Sequence, residues 1–179
     1  MDLQIAEFLN KLGAGTFIDT LTDYISYRPF LWILWVVVAI LIFFLEKKRG
    51  PKIIMAMAMA IILHFLITEL FFKHLLGYFM ELRIRPYIAH PDLMVKIGQE
   101  QLSDGSFPSS HMASTAAILT VLVYYYKKIW PVAALFIIAM AFARIHNGMH
   151  YPTDVLTGTI FGIVFGVAAI YLSKKFSKK

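Results

Sequence analysis

FLWILWVVVAILIFFL, residues 30–45, contains no charged residue, no glycine and no proline, and it stops abruptly at Glu46, Lys47, Lys48 and Arg49. A run of this kind approaches the roughly 20 apolar residues that cross a hydrocarbon core. The charges at its end mark a span leaving the bilayer. Four more such runs follow, at 53–72, 112–126, 129–143 and 155–172. Several are shorter than a full crossing, so flanking residues such as Tyr24, Ile25 and Trp130 extend them. The pattern predicts an all-α, polytopic membrane bundle of about five transmembrane helices.

Composition agrees. The chain has 179 residues, 59% of them hydrophobic and 16% charged, which excludes a disordered tail and an ordinary soluble domain. Its mean hydropathy is +0.69. We read residues 1–179 as a single membrane domain. Cysteine is absent, so disulfides and thiolate chemistry are excluded. The formal charge of +6 is concentrated at span ends, where it reads as membrane topology and not as a nucleic-acid surface. The opening MDLQIAEFLNKLG lacks a basic n-region and a small-residue cleavage site, so it is expected to be retained. Over residues 1–27, Leu3, Ile5, Phe8, Leu9, Leu12, Phe17, Ile18 and Leu21 recur at helical spacing. That predicts an amphipathic helix at the membrane interface or curled into the bundle.

Lys47, Lys48, Arg49 and Lys52 lie between the first two spans, and Lys127 and Lys128 between the third and fourth. Lys174, Lys175, Lys178 and Lys179 close the chain. With five spans all three clusters fall on one face, which the positive-inside rule makes cytoplasmic. The polar connections 73–111 and 144–154 then share the opposite, extracytoplasmic face. On the last span Gly158, Gly162 and Gly166 recur every fourth residue and predict a close helix contact.

Those two connections hold the chemistry. In GSFPSSH (105–111) Pro108 precedes an apolar run, with Ser106 and Ser109 available as caps. Ser109, Ser110 and His111 thus stand at a helix N-terminus, which favours an anion such as phosphate. Arg83 and Arg85 lie in ELRIRP, where Pro86 disfavours helix at Arg85. In ARIHNGMHYPTD (143–154) His150 and Asp154 are four apart at the start of the last span. A carboxylate bonded to one imidazole nitrogen would leave the other as a nucleophile. Arg144 aims a permanent charge at the same region. His146 and Asn147 read as loop decoration. His64 and Glu69 stand at membrane depth on the second span and read as a buried pair.

Arg85-Pro86, the PSSH at 108–111 and Arg144-x5-His150-x3-Asp154, in that order, resemble the three signatures of the phosphatidic acid phosphatase type 2 superfamily of membrane lipid phosphatases. The likeness runs over about residues 73–172. It implies that His150 attacks phosphorus, that Asp154 orients it, and that His111 protonates the leaving oxygen and later activates water. It also implies that Arg85, Arg144, Ser109 and Ser110 hold the phosphate oxygens, with no metal and no cofactor. Ser110 stands in place of the family's glycine, and Ala143 in place of a serine. Seven residues before Arg85 stands Tyr78, where the family has lysine, so Lys73 or Arg83 supplies that charge or the site does without it.

The partners implied are the lipid bilayer and a lipid phosphate on the extracytoplasmic leaflet, with the oligomeric state open. The stretch RPYIAH (85–90) is similar to bacterial undecaprenyl-diphosphatases of the superfamily. Phosphatidylglycerophosphate, phosphatidate and lipid A phosphates are alternatives. A non-catalytic scaffold or small transporter would account for the spans but not for the three polar motifs.

Overall fold

The computed structural model describes residues 1–98 and 105–176. Lys178, Lys179 and the 99–104 part of the 73–111 connection lie outside the described residues. Among the described residues every regular element is helical: α1 (Asp2–Lys11), α2 (Phe17–Ser26), α3 (Arg28–Leu45), α4 (Gly50–His64), α5 (Pro86–Ala89), α6 (Ser110–Tyr125), α7 (Trp130–His146) and α8 (Pro152–Phe176). Prolines start several of them. Pro29, Pro51 and Pro131 sit in first turns, where the missing N–H has no helical acceptor to lose.

Four helical stretches are long and apolar enough to cross a membrane: Arg28–Leu45, Gly50–Tyr78, Lys127–His146 and Pro152–Phe176. The second is longer than its apolar run. Beyond His64 the helix widens into a π-helical stretch, Phe65–Leu75, and tightens into a 3₁₀ turn, Leu76–Tyr78. The third apolar run is α6, whose 16 residues run alongside α8 from Ser109 to Thr120. It is the axis of the bundle. Buried residues occur on every side of it, from His111 and Met112 through Ala116 and Ala117 to Leu122, as expected of a helix apolar all round.

α8 lies closest to that axis. A methyl group on Gly158 or Gly162 would run into the carbonyl oxygens of Ser109 or Ala113, and one on Gly166 into Thr120. The glycine stripe therefore sets α8 backbone to backbone against α6, as small residues do in membrane bundles. The first turn of α6 and the first turn of α8 are thereby held side by side, with Ser109 N–H donating to the Asp154 carbonyl at 3.1 Å.

The N-terminal segment differs from the single amphipathic helix of the sequence reading. Gly13 and Gly15, both at positive φ, break it into α1 and α2. The pair folds over the ends of α7 and α8. Asn10, fully buried, donates to the carbonyls of Val95 (2.7 Å) and His146 (2.6 Å).

Candidate active site

His150 sits in the short connection between α7 and α8, 1% exposed. Its Nδ1 lies 2.7 Å from the Ser106 carbonyl oxygen. A carbonyl only accepts, so the ring proton belongs on Nδ1 and the lone pair on Nε2. Arg85 Nη1 at 3.3 Å and Arg144 Nη2 at 3.5 Å flank that lone pair. Burial pushes the imidazole well below its ordinary pKa, and the charges of Arg144, Arg85 and Lys73 push it further. A neutral ring with an exposed lone pair among cations is the form a nucleophile toward phosphorus requires.

The turn that places His150 depends on Gly148. α7 ends with Asn147 N–H on Ala143 O and Gly148 N–H on Ile145 O. Gly148 then turns left-handed at φ 72°, with the Val95 carbonyl close against it. A side chain there would be strained twice over. Met149 N–H returns to the Arg144 carbonyl at 3.2 Å, which folds His150 back onto Arg144.

Arg85 is 1% exposed and clamped. Its two terminal nitrogens donate to the carbonyls of Met149 (3.0 Å) and Gly105 (3.2 Å). Arg144, equally buried, reaches the same ring from the last turn of α7. His111, in the first turn of α6, is 5% exposed, and its Nε2 has no hydrogen-bond partner among the described residues. Arg144, Lys73 and Arg85 act electrostatically on both His111 and His150, so the two imidazoles share one set of charges.

Asp154 corrects the sequence reading. Its Oδ2 stands 3.9 Å from His150 Nδ1, too far for a hydrogen bond. The carboxylate is already engaged: Oδ2 accepts from Tyr151 N–H at 2.9 Å and Oδ1 from Arg83 at 2.6 Å. The direct partner of Nδ1 is the Ser106 carbonyl, which no side-chain pattern announces. Asp154 still places a fully buried carboxylate beside the ring.

Ser109 is the N-cap of α6 but does not cap it through its side chain. That expectation fails because its N–H is spent on Asp154 while the buried hydroxyl has no partner among the described residues. The Ser110 hydroxyl is likewise unpartnered. Both hydroxyls are available to an anion at the helix start.

The two substitutes for the family lysine are also separated. Lys73, on the π-helical stretch, is 7% exposed, lies 3.8 Å from Glu69 and acts on both imidazoles. Arg83 faces away, onto Asp154, Asp2 at 2.6 Å, Thr153 at 2.7 Å and the Tyr151 ring. Burial alone would lower the pKa of Arg83, but the two carboxylates hold it up.

His146 and Asn147 are not loop decoration. Both are buried at the end of α7. The His146 ring sits 2.9 Å from the Leu9 carbonyl and 2.9 Å from Asp19, and Asn147 donates to Ser26 at 2.8 Å. They dock α1 and α2. His64 and Glu69 do approach each other, at 4.0 Å.

A histidine, buried arginines and a helix N-terminus converge at one end of a helical membrane bundle, an arrangement suited in charge and donors to an oxyanion. Residues 52–178 match the PAP2 superfamily, and the chain belongs to it. Its relatives include undecaprenyl-diphosphatase BcrC of Bacillus subtilis, 32% identical over 107 residues that cover 59% of this chain and 48% of the relative. Decaprenylphosphoryl-5-phosphoribose phosphatase of Mycolicibacterium smegmatis is 43% identical over 76 residues, 42% of this chain and 39% of the relative. The chain thus spans less than half the length of these two relatives. In fold it is similar to LpxE of Aquifex aeolicus, with a TM-score of 0.70, 24% identity, and coverage of 95% of this chain and 94% of that one.

Proposed function

We propose that this chain is a lipid phosphate hydrolase that works through a phosphohistidine at His150, with undecaprenyl diphosphate as its substrate. The observation that carries the reading is the His150 ring itself, with its proton fixed on Nδ1 by Ser106 and its Nε2 held between two buried guanidiniums. His150 Nε2 bonds to the terminal phosphorus as the P–O bond to the leaving group breaks, and the electron pair goes to the leaving oxygen. His111 gives that oxygen a proton. Water, losing a proton to His111, then attacks the phosphohistidine and inorganic phosphate departs. Arg85, Arg144 and Lys73 meet the charge on the equatorial oxygens, with the hydroxyls of Ser109 and Ser110 at the start of α6.

Asp154 acts as a positioning residue. Its charge, held by Arg83, favours the imidazolium-like charge that develops as Nε2 bonds phosphorus. The donors around the site are cationic, which suits an anionic phosphoryl group and repels a metal ion. Undecaprenyl diphosphate is favoured because a relative named for that activity is 32% identical over 107 residues. The lysine clusters support a site opening on the extracytoplasmic leaflet. A scaffold or transporter leaves this convergence of buried cations on one histidine without a purpose.

The test is phosphate release by the purified protein from undecaprenyl diphosphate, phosphatidate, phosphatidylglycerophosphate and a lipid A phosphate, in excess chelator and with vanadate. Fastest turnover of undecaprenyl diphosphate is expected, indifferent to chelator and inhibited by vanadate. Loss on chelation, restored by magnesium, would overturn the chemistry. Preference for a glycerolipid would overturn the substrate.

A further inference from the structure

A second space lies beside the site. It is a cavity of about 280 Å³ between the start of α3, the junction of α4 with the π-helical stretch, and the first turn of α6. Its lining is mainly apolar, with Leu31, Trp32 and Phe65, and includes the polar Arg28, Ser110 and His111. His64 and Glu69 add to the polar part. His64 Nδ1, His111 Nε2 and the Ser110 hydroxyl are all buried without a hydrogen-bond partner among the described residues. Buried polar atoms of this kind are costly unless something fills the space between them.

An arginine at the start of a span is ordinarily a membrane anchor. Arg28 differs in two respects. It lines a cavity that has the proposed acid as part of its wall, and its charge acts on His111. Arg144, Arg85 and Lys73 act on both imidazoles. Arg28 adds a cation on the His111 side, beside the oxygen that would leave.

We infer that Arg28 and this cavity bind the phosphate that remains on the lipid when a diphosphate is cleaved, which makes Arg28 the residue that selects lipid diphosphates over monophosphates. The inference rests on the reading of His150 as nucleophile. When the bond to the terminal phosphorus breaks in a diphosphate, the electron pair goes to the bridging oxygen of a lipid monophosphate. That group keeps its negative charge even after His111 supplies a proton. A cation beside it stabilises the transition state more than the ground state, because charge on the leaving phosphate grows as the bond breaks. From a lipid monophosphate substrate the leaving group is the neutral lipid alcohol, which presents no phosphate to Arg28. Leu31, Trp32 and Phe65 then face the first carbons of the chain. Glu69 opposes an anion in the cavity, but Lys73 at 3.8 Å offsets its charge.

The experiment compares farnesyl diphosphate with farnesyl phosphate, using the purified full chain and its Arg28→Gln and Arg28→Lys variants. Arg28→Gln should lower kcat/KM for the diphosphate by about 10–100-fold, the scale of one lost charge-assisted contact in a transition state. The monophosphate rate should stay within about threefold, and it reports in the same sample that the protein is folded. Arg28→Lys, which keeps the charge, should retain most of the preference. Equal losses on both substrates, or no loss on either, would overturn the assignment. A wild-type enzyme that cleaves glycerolipid phosphates but no prenyl diphosphate would sink the substrate reading as well. One that cleaves the diphosphate undiminished after Arg28→Gln would sink this inference alone.

Discussion

Residues 144–154 and residues 73–85 both deliver cations to His150, and they do so on different plans. In the first, Arg144 ends α7, Gly148 turns the chain, and Asp154 stands in the first turn of α8. Every step is a helix end, so sequence spacing translates directly into position. In the second, Lys73 sits on a π-helical stretch while Arg83 and Arg85 follow in non-helical backbone. A wider helix and an extended chain do not conserve the register that a fixed spacing assumes. Extended chain places residues two apart on one face. The two arginines accordingly meet two neighbouring members of the first stretch, Arg85 at His150 and Arg83 at Asp154. Spacing is a reliable guide only where the backbone stays regular.

Removal of His150 is the largest expected effect and tests the first stretch. His150→Ala should cost about 10³-fold or more on every substrate, read as single-turnover rates. Residual activity near wild type would move the nucleophile elsewhere. Arg85→Ala comes next, with a loss of about 10²–10³-fold in kcat, the scale of one oxyanion donor.

The contrast between Lys73 and Arg83 is the sharpest division within the second stretch. Lys73→Ala should lose about 2–4 kcal/mol of transition-state stabilisation. Arg83→Ala, which releases Asp154, Asp2 and Thr153 and reaches His150 only through Asp154, should lose about tenfold, the scale of a hydrogen bond to a charged group. The reverse ranking in kcat/KM would return the family lysine's role to Arg83.

Acid should separate the two stretches by stability. The folded His150 stays neutral well below the pH near 6.5 at which the unfolded ring takes up a proton. Below that pH the unfolded state gains the proton and the folded state does not, so stability falls on acidification, by up to about 1.4 kcal/mol per pH unit. Above it His150 adds no slope. Unfolding of wild type and His150→Asn at pH 7.5, 6.5 and 5.5 should show a shallower acid decline in the variant; parallel declines would contradict the buried neutral ring.

Asp2→Asn is the smallest change, because the Asp2–Arg83 pair is partly exposed. Burial would raise the pKa of Asp2, but Thr153 and Arg83 together hold it below the usual carboxylate value. A loss of up to about fivefold in kcat is expected with KM unchanged. A larger loss would mean that α1 shapes the substrate site directly.

The bundle was legible because apolar runs and loop charges are local signals. That α6 is the axis was not legible, since composition does not distinguish a helix facing lipid from one facing protein. His150, Asp154, His111, Arg85 and Arg144 could be singled out because their spacing and helix-end positions are written locally. The Ser106 carbonyl could not, being a backbone atom that any residue supplies. Nor could Asn10, whose partners Val95 and His146 lie 85 and 136 residues away. A polar residue on an amphipathic helix looks like its solvent face until the fold brings acceptors to it.

The docking of α1 and α2 has a consequence for biogenesis. These helices are made before their partners Arg83, Val95, His146 and Thr153, the last of which lies at the start of α8. The pair α1 and α2 must therefore wait, not fully docked, while α3, α4 and α7 are made. Arg83 gains its second carboxylate only when Asp154 is made, and Asn10 its second acceptor only when His146 is made. Until α8 emerges, the pocket around His150 is unfinished.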